Sequence, residues 1–137
     1  MADTPRPLPR ATDITAPYWK AASEGTLCMQ LCQQCRRWQF FPRAFCVHCS
    51  SEDIVWQKTA GLGKVYTFTI NRRAANPFMK ERLPYAVAIV ELDEGPRMMA
   101  NIINSDLDAI RIDARVRVCF ERVDENLALP QFELVGR

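Results

Sequence analysis

Two pairs of closely spaced cysteines constrain this chain more than any other feature of its sequence. The pairs are Cys32-Gln-Gln-Cys35 and Cys46-Val-His-Cys49, and ten residues separate them. A C-x-x-C pair turns the chain so that two sulfur atoms point to one centre, and two such pairs supply the four thiolates of a structural zinc ion. We therefore predict one Zn²⁺ site of the zinc-ribbon or rubredoxin type. Iron, which the same four sulfurs can hold, stays open as an alternative.

The other two cysteines and the single histidine are not needed for this site. Cys28 precedes the first pair and Cys119 lies in a late strand, and we interpret both as plain buried or half-buried thiols. His48 lies between two predicted ligands and is interpreted as an exposed residue of the turn, because four cysteines already complete the metal shell. A thioredoxin-like redox role is disfavoured, since no β-α-β pattern surrounds either pair.

The composition indicates a cytoplasmic protein. Residues 1–10 lack the apolar run of a secretion signal, and no segment of the chain approaches the roughly 18 apolar residues of a membrane span. In a reducing compartment, six cysteines indicate metal binding rather than a disulfide framework. The net charge of +2 is not that of a general nucleic-acid binder.

The sequence pattern predicts three units. They are an N-terminal arm and helix, a zinc ribbon and a barrel domain, at residues 1–26, 27–53 and 54–137. Thr15 is the predicted cap of the helix and Gly25 its end, with Tyr18 and Trp19 on one side either as local packing or as a partner-facing anchor. The ribbon is too small to fold by apolar burial alone, so we expect the metal to supply the missing stability.

The third unit has a wholly β pattern. Five strands are predicted, at residues 64–70, 85–92, 97–103, 115–120 and 131–135. The second of these is apolar on both faces and is predicted to be central, and Tyr66 and Phe68 share a face with Ile70 and are predicted to be core residues. A hairpin turn is expected at residues 93–96 and one helical turn at residues 106–109.

These elements predict a mostly β fold with an N-terminal helix, a rubredoxin-like zinc ribbon and a C-terminal five-stranded OB-fold barrel. An open sandwich is the main alternative for the last unit. The sequence contains no glycine-rich phosphate loop, no obvious pair of catalytic carboxylates and no nucleophile with a histidine to activate it. We therefore predict that the chain has no catalytic residues and is not an enzyme on its own.

Several short segments, taken together in this order, resemble the DUF35 family of zinc-ribbon and OB-fold proteins. They are Tyr18-Trp19 followed by Gly25, the four cysteines, Phe41-Pro42-Arg43, Gly61-Leu-Gly-Lys-Val-Tyr66, Pro84-Tyr85 and Val90-Glu-Leu-Asp-Glu-Gly95, and the resemblance spans residues 11–135. Two positions depart from the family pattern. Arg36 and Asp113 stand where glycine is common in the family.

The resemblance implies an accessory role in acyl-CoA metabolism. Proteins of this family commonly form hetero-oligomers with thiolases, thiolase-like lipid-transfer or aldolase proteins, hydroxymethylglutaryl-CoA synthases and hydratases, and they help to bind or channel acyl-CoA. The catalytic residues then belong to the partner. The alternative is a nucleic-acid-binding zinc-ribbon and OB-fold protein, which needs exposed aromatic side chains on the barrel.

If the chain touches CoA, the longest predicted loop is the best candidate. Residues 71–83, which we call the basic loop, carry four cations suited to the phosphates of CoA: Arg72, Arg73, Lys80 and Arg82. A solvated connection with no ligand is the competing interpretation of the same loop.

Overall fold

A short helix, a three-stranded sheet and a closed five-stranded barrel follow one another along the chain. The computed structural model describes residues 6–135, so the first five residues of the predicted arm and the last two of the predicted barrel unit lie outside the described range. The elements are α1 (Ala16–Ser23), β1 (Cys28–Cys32), β2 (Trp38–Gln39), β3 (Ile54–Lys58), β4 (Leu62–Asn71), α2 (Pro77–Lys80), β5 (Tyr85–Leu92), β6 (Arg97–Ile102), β7 (Arg115–Asp124) and β8 (Leu127–Leu134). The predicted fold class is confirmed.

Helix α1 begins and ends where the sequence predicts, but its first turn is held differently. Thr15 occupies the N-cap position without capping a helix amide. Its hydroxyl instead accepts a hydrogen bond from the backbone N–H of Thr12 at 2.8 Å, so the predicted side-chain cap is wrong. Gly25 follows the C-cap with φ +82°, a left-handed conformation in which glycine avoids the cost that a Cβ would bring.

The ribbon is a small antiparallel sheet in the order β2-β1-β3. Strand β1 lies in the centre and pairs with β3 along its whole length, from Cys28 opposite Lys58 to Cys32 opposite Ile54. We expected residues 54–58 at the start of the barrel unit, whereas the structure places them in the ribbon sheet. The alternation of side chains predicts that a segment is a strand but does not identify the strand beside it. The division into three units stays a prediction.

The barrel closes in the order β4-β5-β6-β8-β7, with β7 returning to β4. Strand β5 lies between β4 and β6, which confirms its predicted central position. The last two strands are longer than predicted because they form one hairpin around residues 125–126. Residues 107–109 form the expected helical turn, where the Asp106 carboxylate accepts a hydrogen bond from the N–H of Asp108 at 3.0 Å.

A β-bulge in β4 overturns one core prediction. The pairing of β4 with β5 shifts between Val65 and Thr67, so the alternation of faces changes phase there. Val65 is fully buried, whereas Tyr66 is 45% exposed and stacks beneath the Arg97 guanidinium, whose central carbon lies 3.7 Å from the ring centroid. Phe68 packs against the core as predicted.

The hydrophobic core fills the barrel and continues to helix α1 and strand β1. Its members are mainly the inward-facing residues of the barrel strands, together with residues of α1 and the start of the ribbon: Tyr18, Leu27, Met29, Val65, Ala86, Ala88, Val90, Leu92, Met98, Ala100, Ile102, Ile110, Val116 and Phe132. Neither helix in the described part of the chain has the length and apolar character needed to cross a bilayer. The cytoplasmic location stays a prediction.

Candidate metal centre and basic loop

The four predicted ligands meet at one point of the ribbon. The ligand atoms of Cys32, Cys35, Cys46 and Cys49 all lie within 4.8 Å of one another. The Sγ atoms of Cys32 and Cys49 are 3.6 Å apart, and those of Cys35 and Cys46 are also 3.6 Å apart. Tetrahedral zinc with Zn–S bonds of about 2.3 Å separates its sulfurs by about 3.8 Å. The donor set and its spacing therefore fit one zinc ion with a closed shell of four thiolates.

Each cysteine pair is shaped by the same backbone turn. The N–H of Arg36 donates to the carbonyl of Cys32, and the N–H of Ser50 donates to the carbonyl of Cys46, both at 2.9 Å. Arg36 and Ser50 follow the second cysteine of each pair and have φ values of +62° and +68°. Arg36 thus adopts the left-handed conformation that glycine favours, and Asp113, the other departure from the family pattern, does the same with φ +68°.

Backbone N–H groups point at the sulfurs. The N–H of Cys35 donates to the Sγ of Cys32 at 3.5 Å and lowers the pKa of the Cys32 thiol to about 6. At Cys46, burial alone would raise the pKa, but N–H groups of His48 and Cys49 that donate to its sulfur lower it below the ordinary value. These contacts favour the thiolate, which is the form that binds metal, at Cys32 and Cys46. At Cys35 and Cys49, burial and the neighbouring thiols instead raise the pKa.

The remaining thiols and the histidine lie outside the ligand set, as expected. Cys28 and Cys119 are half-buried, and burial raises the pKa of the Cys119 thiol to about 11. His48 is exposed, and its Nδ1 atom lies 3.4 Å from an Nη atom of Arg37. A thiol with a raised pKa is a poor nucleophile, and neither of these two cysteines extends the metal site.

Two buried glutamines fix the loop that carries the second cysteine pair. The Gln30 amide donates to the carbonyl of Arg43 and accepts from its N–H, both at 2.8 Å. The Gln39 amide donates to Gln30 at 2.7 Å and accepts from the N–H of Val47 at 2.9 Å. This pair of glutamines was not predicted from the sequence. The one indication of it in the sequence is Gln30, a polar residue in the middle of the otherwise apolar strand β1.

The loop held by the glutamines presents apolar side chains to solvent. Phe41, Phe45 and Val47 are 54%, 48% and 53% exposed. We call these three residues the ribbon patch. The buried Gln39 side chain is hydrogen bonded to the backbone of Phe45 and Val47. Gln30 holds the backbone of Arg43, two residues after Phe41. The patch is therefore fixed in place without needing its own side chains in the core.

The basic loop is partly helical, and its four cations have different surroundings. Helix α2 forms within it, and the Asn76 side chain caps the helix by accepting a hydrogen bond from the N–H of Met79 at 2.9 Å. Three of the cations, Arg72, Arg73 and Lys80, are exposed and have no ion-pair partner among residues 6–135. Arg82 is paired, with an Nη atom 2.6 Å from the carboxylate of Glu121.

Comparisons with known proteins agree with this architecture. The ChsH2 rubredoxin-like zinc ribbon domain matches residues 19–55, and the ChsH2 C-terminal OB-fold domain matches residues 56–121. A DUF35 domain-containing scaffold protein from Methanothermobacter thermautotrophicus is 34% identical over 95 residues, which cover 69% of this chain and 71% of that protein. This chain belongs to the DUF35 family.

Two further proteins match most of the chain. A "Probable enoyl-CoA hydratase alpha subunit" from Thermomonospora curvata is 33% identical over 127 residues, 93% of this chain, although the chain spans only 39% of that protein's length. The solved structure described as an Ltp2-ChsH2(DUF35) aldolase superimposes with a TM-score of 0.82 at 31% identity, and the match covers 93% of this chain and 98% of that one.

Proposed function

We propose that this chain is a non-catalytic, zinc-binding accessory subunit of a thiolase-like acyl-CoA enzyme complex, such as a thiolase, aldolase, synthase or hydratase. In this role it stabilises the partner and helps to bind or channel the acyl-CoA substrate. The observation that carries the proposal is the match over 98% of a chain from an Ltp2-ChsH2(DUF35) aldolase. The hydratase subunit among the relatives supports the same class of partner.

The chemistry of the chain supports an accessory role rather than catalysis. A zinc ion held by four thiolates has no open position for a substrate, so when bound it cross-links the ribbon. His48 is the single histidine of the sequence, and it lies on an exposed turn beside the metal ligands. Among residues 6–135, the ring of His48 makes no hydrogen bond to a serine or cysteine side chain that it could activate as a nucleophile. We therefore expect the catalytic groups on the partner.

The ribbon patch is the surface we propose for contact with the partner. Aromatic side chains that project from a fixed backbone lose little conformational freedom on binding and often dominate the energy of an interface. Phe41 and Phe45 meet this description, and the exposed Arg43 lies between them in the sequence. An apolar pocket with an acidic rim on the partner would complement this patch.

Reconstitution tests the accessory role. The zinc-loaded chain is purified alone and together with a thiolase-like acyl-CoA enzyme subunit of the same organism, and thioester turnover and elution volume are measured. We expect no turnover by the chain alone, co-elution of the two subunits, and turnover by the complex about tenfold or more above that of the partner alone. Turnover by the pure chain, or failure of the subunits to co-elute, would contradict the proposal.

Substitutions in the same experiment test the ribbon patch. Phe41→Ala and Phe45→Ala are expected to weaken co-elution, because each removes an exposed aromatic contact of about 1–3 kcal/mol. Ile112→Ala is the matched control, since Ile112 is 55% exposed in the loop before β7. Equal effects of all three substitutions on co-elution would mean that the ribbon patch is not the contact surface.

The exposed cations of the basic loop are proposed to hold the phosphates of CoA. Arg82 already has a carboxylate partner, so the expected contribution rests on Arg72, Arg73 and Lys80. In the reconstituted complex, Arg72→Ala combined with Arg73→Ala should raise the KM for acyl-CoA several-fold, and more at low salt than at high salt. A pantetheine thioester without the nucleotide should be indifferent to the change.

The control for this double substitution is Arg111→Ala, another exposed arginine outside the loop. A variant complex that assembles normally and keeps its KM for acyl-CoA would show the loop to be a solvated connection.

The nucleic-acid alternative has one supporting observation, the exposed ring of Tyr66 on the barrel. The Arg97 guanidinium covers a face of that ring, however, which disfavours base stacking there.

A further inference from the structure

One carboxylate of the barrel binds two arginines that are far apart in the sequence. Glu121 lies in β7, and its Oε2 atom accepts a hydrogen bond from Arg6 at 2.9 Å and pairs with Arg82 at 2.6 Å. The side chains of Arg6 and Glu121 are each only 16% exposed. The other carboxylate oxygen accepts a hydrogen bond from Gln131 at 3.1 Å. Shielded, charge-assisted hydrogen bonds of this kind are stronger than exposed ion pairs.

The same two arginines also share an aromatic ring. The guanidinium carbons of Arg6 and Arg82 lie 4.7 Å and 4.8 Å from the centroid of Phe78, which belongs to α2 in the basic loop. Two cations in one place repel each other, and here the carboxylate and the ring face offset that repulsion. The arm and the basic loop therefore meet at a single charged centre on the barrel.

These contacts stand beside an apolar groove of about 480 Å³. Pro9, three residues after Arg6, and Met79, three residues before Arg82, are both among its lining residues. The lining also includes Asn101 and Gln131, and the Gln131 side chain joins the N–H of Asn101, at 2.8 Å, to Glu121. The charged centre is thus connected to two walls of the groove and to its polar lining.

We propose that Glu121 is a shared anchor that fastens the N-terminal arm and the basic loop to the barrel as two walls of the groove. Removing this carboxylate releases both segments while the barrel stays folded. The inference is independent of the proposed function, because it concerns only contacts within this chain and is tested without a partner or a substrate.

Limited digestion with trypsin tests the anchor in the full-length, zinc-loaded chain. Cleavage after Arg10 reports release of the arm, cleavage after Lys80 reports release of the basic loop, and cleavage after Arg117 in β7 reports opening of the barrel. Glu121→Gln should accelerate the first two cleavages about tenfold or more relative to its effect on the third, which rises only with the loss of global stability. Glu133→Gln is the matched control, because Glu133 pairs with Arg117 at 2.8 Å on the same hairpin.

Two further variants separate a shared anchor from general destabilisation. Arg6→Ala should accelerate cleavage mainly after Arg10, and Arg82→Ala mainly after Lys80, so that Glu121→Gln combines the two effects. The proposal is overturned if Glu121→Gln changes only one segment, if cleavage after Arg117 rises in parallel, or if Glu133→Gln gives the same pattern. The arginine variants keep the test decisive even if Glu121→Gln unfolds the chain.

Discussion

The carboxyl group of Glu121 lies between two guanidinium groups and one amide. Burial by itself raises the pKa of this carboxyl, but hydrogen bonds from Arg6, Arg82 and Gln131 outweigh burial and lower the pKa to about 2. An unfolded glutamate has a pKa of about 4.3. Folding therefore makes the charged form more favourable, and protonation of Glu121 in acid opposes folding.

This difference predicts a pH-dependent contribution to stability. Because the pKa is lowered in the folded state, the contribution is present above about pH 5 and is lost as the pH falls towards 2. At pH 7, Glu121→Gln should lower the free energy of unfolding by about 1–2 kcal/mol, a deficit that shrinks towards zero in acid. Denaturant titrations of the wild-type chain and of Glu121→Gln across this pH range measure the difference between their free energies of unfolding. Loss of metal in acid affects both proteins equally and therefore cancels in this difference.

The control for the pH series is Glu133→Gln. Hydrogen bonds from Arg117 and Asn104 also lower the pKa of Glu133, but the Arg117 side chain is 58% exposed, so solvent screens the pair. We expect a smaller deficit for this variant. A deficit of Glu121→Gln that does not change with pH would mean that packing, and not charge, is what the substitution removes.

At the scale of elements, the ribbon depends on its metal more than the barrel does. Its strands are short, with five, two and five residues, and part of its apolar material, the ribbon patch, faces solvent. A sheet of this size buries too little apolar surface to offset the entropy of ordering its chain. Most of the hydrophobic core lies within the barrel, which therefore needs no such cross-link.

The consequence is that metal loss should loosen one part of the molecule. Elemental analysis should find one zinc per chain. Cys46→Ser and Cys35→Ser should each lose zinc and accelerate amide hydrogen exchange in residues 27–58, while β5 keeps its protection. Cys119→Ser is the control and should keep its zinc, because this thiol lies outside the ligand set. Full zinc retention by both ligand variants would refute the assigned site.

Sequence patterns predicted every barrel strand, and the exceptions have physical reasons. Alternation of apolar side chains reports which face of a strand is buried, so it gave β5 its central place but did not reveal that β3 pairs with β1. The bulge in β4 adds a residue to one strand without a characteristic side chain, and Tyr66 was therefore placed on the wrong face. Both errors concern pairing between strands rather than the strands themselves.

At the scale of the whole molecule, sites built from neighbouring residues were predictable and sites built from distant ones were not. The metal ligands come from two short turns, so their spacing alone indicated the geometry. In the sequence, Glu121 is one charged residue on a strand with alternating side chains. Its hydrogen-bond partner Arg6 lies 115 residues away, so the pattern around Glu121 could not predict the contact. Gln30 was missed for the same reason, since its loop partner is 13 residues distant.

The chain enters and leaves the ribbon at one point. The carbonyl of Leu27, where the chain enters the ribbon, accepts hydrogen bonds from the N–H of Thr59 at 2.9 Å and its hydroxyl at 2.8 Å, where the chain leaves. Helix α1, just before this point, packs on β8, and β4 begins just after it. The two ends of the ribbon thus adjoin each other, so we expect that a different insert with the same end spacing would leave helix α1 on the barrel, provided that it also filled the core position of Met29.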